Sequence, residues 1–173
     1  MAFACQSSPQ STLFWHDLPM DRLDYAILRH LQDEGRLSNV ELADRVRLSP
    51  SPCLRRVRAL EHDGAIRGYH ADIDPERVGR GFEVVVHVDL ALKDRTTVED
   101  FEAAIDRLDA VVECRRMFGL PDYLLRVAVA GASDYEAFYI NDLAGLPGLA
   151  RVNSQITMKT VKRDRGVPIP AGG

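Results

Sequence analysis

The sequence predicts an α+β protein in two parts, and three observations support this. Apolar residues recur at helical spacing between Asp21 and Gly64, whereas from Phe82 onward strand-like segments alternate with helical ones. Pro75 and the turn at 79–81 separate the two patterns. A length of 173 residues with 46% apolar content is enough to fill two small cores.

The first part contains the start and stop signals of three helices. Each begins at a residue whose side chain can accept a hydrogen bond from a free backbone amide, and each ends close to a glycine or a basic residue. In the second helix Glu41 completes a capping box, and in the third Pro50 occupies the first position, where no amide is needed. The predicted caps are Asp21, Ser38 and Ser49, and the predicted ends lie near Gly35, Arg45 and Gly64.

Positive charge is concentrated around the third helix, although the chain has a formal net charge of -4. Residues 45–67 hold six arginines against two acids. Two short helices joined by a tight turn, the second carrying outward arginines, match the motif that places a recognition helix in the major groove of DNA. The alternatives are a solvated arginine face on an ordinary bundle and, for Arg56, an ion pair with a nearby acid. The candidate DNA-contacting residues are Ser38, Asn39, Ser49, Ser51, Pro52, Arg55, Arg56 and Arg58.

The second part has the element order βαββαβ, which is the split unit of ferredoxin-like folds. Because both helices cover one face of the sheet, the other face is free for a second copy of the chain, and burial alone predicts a homodimer. The predicted strands span 82–92, 111–118, 123–130 and 151–161, and the predicted helices span 97–108 and 133–145.

Domain boundaries are placed where the pattern changes. Residues 1–19 are predicted to be a disordered arm or an over-long start, the alternative being that Phe14 and Trp15 dock on a partner subunit. Residues 65–73 have the pattern of a strand or an extended linker. The remaining segments are a helix-turn-helix domain of the winged type at 20–68, a linker strand and turn at 69–81, the ferredoxin-like domain at 82–162 and a frayed tail at 163–173.

Several classes of protein are disfavoured by composition. Cys5, Cys53 and Cys114 are odd in number and lack C-x-x-C spacing, so we predict neither disulfides nor a zinc site, and Cys53 is expected in the core. Neither a membrane span nor a secretory signal is recognisable, which predicts a soluble cytoplasmic protein. The sequence lacks a nucleophile elbow, a phosphate loop and a metal-ligand cluster, so no catalytic residue, metal or cofactor is predicted.

Six segments in the right order, within about residues 20–163, resemble one known family. They are LDYAIL from Leu23, GRLSNVELA from Gly35, LSPSPCLRRVRALE from Leu48, GAIRGY from Gly64, GLPDYLL from Gly119 and LPG from Leu146. These motifs are similar to those of the leucine-responsive regulatory protein family, also called the Lrp/AsnC or feast/famine regulators. The later two fall in that family's effector-binding domain.

The resemblance implies a sequence-specific DNA-binding regulator of amino-acid metabolism, without enzymatic activity, whose oligomeric state or DNA affinity responds to an amino acid. It also implies a dimer that assembles into tetramers or octamers and binds the effector between subunits. Physically, Asp122 can bind the ligand's ammonium group, and Gly119 permits close backbone approach. The implied effector site comprises Met117, Gly119, Leu120, Pro121, Asp122, Tyr123, Ser154, Gln155 and Thr157.

Two other functions remain open. One is an architectural DNA-compacting protein that does not respond to a ligand. The other is an enzyme similar to sirohaem decarboxylases, which share the two-domain plan and use histidines at the effector position. Against the enzyme, the five histidines of this chain are scattered and none lies in the effector turn; they are His16, His30, His62, His70 and His87.

Overall fold

The computed structural model describes residues 20–164 and 166–171, so the predicted arm with Phe14 and Trp15 lies outside the described residues. The chain divides into two compact units. Of the described residues, the first unit contains 20–71, 163–164 and 166–171, and the second is Asp72–Lys162. Within the described part of the chain, no helix is both long enough and apolar enough to cross a bilayer.

The first unit contains three helices, α1 (Arg22–Asp33), α2 (Asn39–Arg45) and α3 (Pro50–His62), and the predicted caps begin them. Asp21 accepts hydrogen bonds from the amides of residues 23 and 24, and Ser38 forms a reciprocal capping box. Ser49 precedes α3 but makes no side-chain cap. The core is formed by one apolar side of each helix: Ile27, Leu42, Ala43, Val46, Cys53, Val57 and Leu60. Cys53 is a core residue as predicted, and burial raises the pKa of its thiol.

The turn between α2 and α3 fixes the two helices of the motif. The amide of Arg47 donates to the carbonyl of Asp44 at 3.1 Å, and the amide of Leu48 donates to that of Ala43 at 2.8 Å. This is the Schellman arrangement, which satisfies carbonyls at the end of a helix. This arrangement requires one residue with a left-handed backbone conformation, and Arg47, with a φ of 56°, is that residue. Glycine is the residue that adopts this conformation without strain.

We therefore expect Arg47→Gly to raise the free energy of unfolding of the first unit by about 0.5–1 kcal/mol. A left-handed conformation costs a residue other than glycine about 1–2 kcal/mol, and the substitution removes this cost. Part of the gain is lost because glycine has more conformational entropy in the unfolded chain. Urea denaturation followed by circular dichroism measures the change. Arg47→Ala is the matched control, since it removes the same charge but keeps the β-carbon. Equal stability of the two variants would show that the turn is not strained.

Between α3 and the second unit, the described chain contains no strand. Residues 65 and 66 lie in a bend and residues 67–73 have no regular secondary structure, so the predicted strand does not form and the segment is a linker. The hydroxyl of Tyr69 donates to Glu61 at 3.0 Å, and burial together with this bond raises the pKa of Tyr69 to about 12. The predicted turn follows, where the amide of Arg80 donates to the carbonyl of Pro75 at 2.7 Å.

The second unit has the predicted order βαββαβ. The elements are β1 (Phe82–Leu90), α4 (Arg95–Ile105), β2 (Val111–Arg116), β3 (Tyr123–Val129), α5 (Ala132–Phe138) and β4 (Leu149–Ile156). The last helix continues directly into a π-helical turn at Tyr139–Leu143. The four strands form one antiparallel sheet in the spatial order β2-β3-β1-β4, which is the ferredoxin-like arrangement.

The sheet has one apolar face and one open face. On β1, Val84, Val86 and Val88 are buried against the helices, where Phe101 and Leu143 complete the core. The alternate residues of each strand lie on the open face. They include several charged side chains, such as Glu83, Asp89, Glu113, Arg126 and Arg151.

The predicted extension of the last strand to residue 161 is wrong. The amide of Thr157 still donates to the carbonyl of Glu83 at 3.0 Å, but the neighbouring strand begins at Phe82. Residues beyond this point have no strand backbone to pair with on that side. β4 therefore ends at Ile156, and Met158 and Val161 are exposed.

Candidate functional site

The exposed side of α3 carries the predicted DNA-contacting residues. Ser51, Arg55 and Arg58 are spaced by four and three positions, which places them along one stripe of the helix. All three are exposed, and Pro52 beside them is half-buried. The motif therefore presents a polar, cationic edge while its other side fills the core.

The arginines around α3 differ in what they contact. Among the described residues, Arg55 and Arg58 have no hydrogen-bond or ion-pair partner, and both guanidinium groups are free to meet a ligand. Arg45 pairs with Glu34 at 2.8 Å. Arg56 bridges Asp21, which caps the first helix, and Asp24, which lies within it, each at 2.8 Å. The second alternative for Arg56 thus holds, and we assign this residue to fastening α3 against α1.

The small polar residues of the predicted set also divide into two groups. Ser38 is held in its capping box, and the side-chain amide of Asn39 donates to the carbonyl of Pro50 at 2.8 Å, which links the starts of α2 and α3. Ser49 and Ser51 remain exposed. Because the two prolines at 50 and 52 have no amide hydrogen, Ser51 supplies the free backbone donor in the first turn of α3.

The connection between β2 and β3, which we call the effector turn (residues 117–122), holds most of the predicted effector residues. The amide of Met117 donates to the carbonyl of Asp122 at 2.8 Å and closes the turn. Gly119 has a φ of 115°, which favours glycine, and the peptide bond between Leu120 and Pro121 is cis. Phe118 is fully exposed, and Leu120 is largely exposed.

Asp122 and Tyr123 lie inside the second unit. One carboxylate oxygen of Asp122 accepts a hydrogen bond from the amide of Leu90 at 2.9 Å, and the other pairs with Lys93 at 2.5 Å. Lys93 and this amide lower the pKa of Asp122. Tyr123 is buried against Phe101. Both side chains therefore have partners in their own chain, and Asp122 ties the start of β3 to the end of β1.

Stability in acid tests this role of Asp122. Because its pKa lies below the ordinary 3.8 in the folded chain, its charge contributes stability above that pH and loses this contribution as the pH falls through the lowered value. Asp122→Asn keeps a group that accepts from the amide of Leu90 but cannot pair ionically with Lys93. We expect the variant to melt below the wild type at neutral pH and the gap to close below about pH 4. Asp109→Asn, at an exposed site, is the control, and a gap that is constant with pH would contradict the assignment.

The three predicted residues near the end of the sheet do not share one face. The hydroxyl of Tyr135 donates to Ser154 at 2.6 Å, so Ser154 is on the face of the sheet that carries the helices, where it is exposed. Gln155 pairs in register with Val85 on the open face, and Thr157, beyond the strand, donates through its hydroxyl to Glu83 at 3.2 Å. The side-chain period of two separates Ser154 from the other two.

A cavity of about 290 Å³ lies beside the effector turn on the open face of the sheet. Inside it, Nε and Nη2 of Arg151 bind the same oxygen of Asp89, at 2.7 and 2.5 Å. The other oxygen, Oδ1, is buried and has no hydrogen-bond partner among the described residues. The lining residues are Leu120 and Pro121, which the sequence predicts, and His87, Asp89, Arg151 and Asn153, which it does not.

The four lining residues that the sequence does not predict are identified by the register of the strands. His87 and Asp89 alternate with the buried valines of β1, and Asn153 and Arg151 are their partners on β4. Asp89 and Arg151 face each other across these two strands, so they can be recognised as a polar site only when the pairing of β1 with β4 is known.

A larger cavity of about 660 Å³, lined by residues such as Arg80, Arg107 and Asp134, contains none of the predicted effector residues. The described residues include no cluster of side chains suited to a metal ion.

Comparison with known proteins identifies both units. Residues 20–67 match the sequence model described as winged helix-turn-helix DNA-binding, and residues 83–167 match that of the Lrp/AsnC ligand binding domain. The chain belongs to the Lrp/AsnC family. This Lrp/AsnC regulator is 39% identical over 150 residues to the leucine-responsive regulatory protein of Salmonella typhimurium, covering 87% of this chain and 92% of that one. It is 41% identical to the Bkd operon transcriptional regulator of Pseudomonas aeruginosa, covering 87% and 98%.

Solved structures agree with this assignment. A transcriptional regulator from Neisseria meningitidis in complex with L-Met has a TM-score of 0.82 and 36% identity, covering 87% of this chain and 97% of that one. An AsnC family regulator from Agrobacterium tumefaciens gives 0.81 and 38%, covering 86% and 97%. The chain is therefore a transcriptional regulator with a DNA-binding domain and an amino-acid ligand-binding domain. Its relatives are regulators and not enzymes, which excludes the decarboxylase alternative.

Proposed function

We propose that α3 enters the major groove of DNA and that Ser51, Arg55 and Arg58 contact it. The observation that carries this proposal is the pair of exposed arginines, 55 and 58, which have no partner among the described residues. Ser49, Pro52 and the free amide of Ser51 are placed to approach a phosphate at the start of the helix. Ser38, Asn39 and Arg56 support the motif from inside, through the contacts described above.

We infer further that an amino-acid effector occupies the cavity beside the effector turn. A free amino acid carries an ammonium and a carboxylate, and the cavity offers a partner for each. The unpartnered oxygen of Asp89 accepts from the ammonium, and Arg151 donates to the carboxylate through charge-assisted hydrogen bonds. Leu120 and Pro121 form an apolar wall for the side chain. The relative solved with L-Met supports an apolar ligand.

A homodimer, assembling into tetramers or octamers, is part of the same proposal. Both helices of the second unit pack on one face of its sheet, which leaves the other face for a partner subunit. The exposed Met117, Phe118 and Leu120 form an apolar group that a second subunit can cover. We place the protein in the cytoplasm, where DNA and free amino acids are both accessible to a bacterial-type regulator.

Footprinting on the DNA upstream of the protein's own gene tests the proposal. A symmetric dimer with two recognition helices should protect two half-sites about 10–10.5 base pairs apart, centre to centre, and the effector amino acid should change the protection. A single protected half-site would contradict the symmetric dimer. Continuous protection that depends on neither sequence nor amino acid would instead indicate the architectural, DNA-compacting function.

A further inference from the structure

A segment near the end of the chain contacts α1. Residues 163–173 are predicted to be a frayed tail, yet the described part from Gly166 to Pro170 makes two hydrogen bonds to the first helix. Nε2 of Gln32 donates to the carbonyl of Val167 at 2.9 Å, and Nη1 of Arg29 donates to the carbonyl of Pro170 at 2.6 Å. Arg29 and Gln32 are three positions apart and therefore share one face of α1.

The local sequence favours this contact. Pro168 and Pro170 fix their own φ angles and disfavour helical conformations at the residues before them, so the segment is biased to an extended polyproline-like form. That form repeats about every three residues, which places the carbonyls of Val167 and Pro170 on the same side. Three residues of such a segment span about 9 Å, whereas three residues of α1 rise about 4.5 Å. The long side chains of Arg29 and Gln32 bridge this difference and reach the two carbonyls. Ile169, between the prolines, is half-buried.

Gly166 is suited to the start of the segment for two separate reasons. Its φ of 95° lies in the region that favours glycine. A β-carbon at this position would also collide with the side chain of Gln32. The carboxylate of Asp164 accepts from the amide of Gly166 at 2.8 Å and holds the turn that leads into the contact.

We propose that Gly166–Pro170 is a docking segment whose binding surface is the face of α1 formed by Arg29 and Gln32. The chain enters the ligand-binding unit at Asp72 and leaves it at Lys162, so a docked segment connects that unit to the DNA-binding unit a second time. The salt bridges from Arg56 to Asp21 and Asp24 then join α1 to α3. A change at the end of β4 thereby has a path to α3, and the importance of that path rests on the proposed role of α3 in DNA binding.

Limited proteolysis of the full chain tests the docking by itself. Trypsin cleavage after Lys162 and Arg163 is followed by intact mass. Gly166→Ala should speed cleavage at least tenfold, because the new β-carbon prevents the approach to Gln32. Gly79→Ala is the matched control: Gly79 also has a positive φ, of 67°, but open space around it, and its variant should be cleaved like the wild type. Equal cleavage of Gly166→Ala and wild type would overturn the proposal.

The connecting role needs a second measurement. The DNA affinity of the full chain and of a chain that ends at Lys162 is measured with each of the twenty amino acids. For every amino acid that changes the affinity of the full chain, we expect the change to be at least threefold smaller in the shortened chain. An unchanged effect would overturn the connecting role. If the full chain itself shows no effect of any amino acid, the proposed effector site fails instead, while the proteolysis result still decides whether the segment docks.

Discussion

Replacing Arg55 and Arg58 together by alanine is expected to weaken DNA binding at least tenfold, which is about 1.4 kcal/mol. Each arginine that contacts a phosphate releases bound counterions, so the slope of log affinity against log salt should fall by roughly one for each arginine removed. The measurement is fluorescence anisotropy of labelled DNA over a range of salt concentrations. Neither guanidinium has a partner among the described residues, so the substitutions disturb the fold little.

Two further variants separate DNA contact from other effects. Arg95→Ala removes an exposed arginine from α4 in the other unit, where it pairs with Glu99, and it should leave the salt slope unchanged. Arg56→Ala should lower the melting temperature, because it leaves Asp21 and Asp24 without their cation. An unchanged slope in the Arg55 and Arg58 double variant would exclude the exposed stripe of α3 from the DNA interface.

Arg151→Gln is expected to reduce amino-acid affinity by about 10- to 100-fold. The substitution leaves a shorter, polar amide side chain and removes the charge that we assign to the ligand's carboxylate. A hydrogen bond to a charged group contributes about 1.5–3 kcal/mol. Isothermal titration calorimetry with the amino acid that binds the wild type most tightly gives the ratio. The melting temperature, recorded alongside, detects any loss of folded protein.

The control for this experiment comes from the same face of the sheet. Arg126 also pairs with acids there, at 3.2 Å from Glu83 and 3.4 Å from Glu113, but it does not line the cavity. Arg126→Gln should bind the amino acid like the wild type. Wild-type affinity in Arg151→Gln would place the effector elsewhere, and an equal loss in both variants would indicate a general effect of charge on the open face.

Local signals made the helices and the sheet order predictable from sequence. A helix cap involves residues within one turn, so Asp21 and Ser38 already identify the helix starts. The order βαββαβ follows from periodicity and turns in the same way, and the exposed stripe of α3 follows from the positions of its apolar residues. These features depend on near neighbours in the chain.

The features that sequence missed depend on residues far apart. Asp122 finds its partner Lys93 only when β1 and β3 lie side by side, which gives its carboxylate a structural contact that the Gly-x-x-Asp motif does not reveal. The same holds for Asp89 and Arg151, which meet through the register of β1 and β4. The contact of Val167 with Gln32 joins the two ends of the described chain, and no periodic pattern indicates it.

Sedimentation velocity tests the central claim, that one chain couples DNA binding to an amino acid. The purified protein is run with a DNA fragment from upstream of its own gene, alone and with each of the twenty amino acids. We predict a protein–DNA complex whose size or stability changes with at least one apolar amino acid. A complex that no amino acid alters would contradict the coupling, and the absence of any complex would contradict the assignment of α3 as the recognition helix.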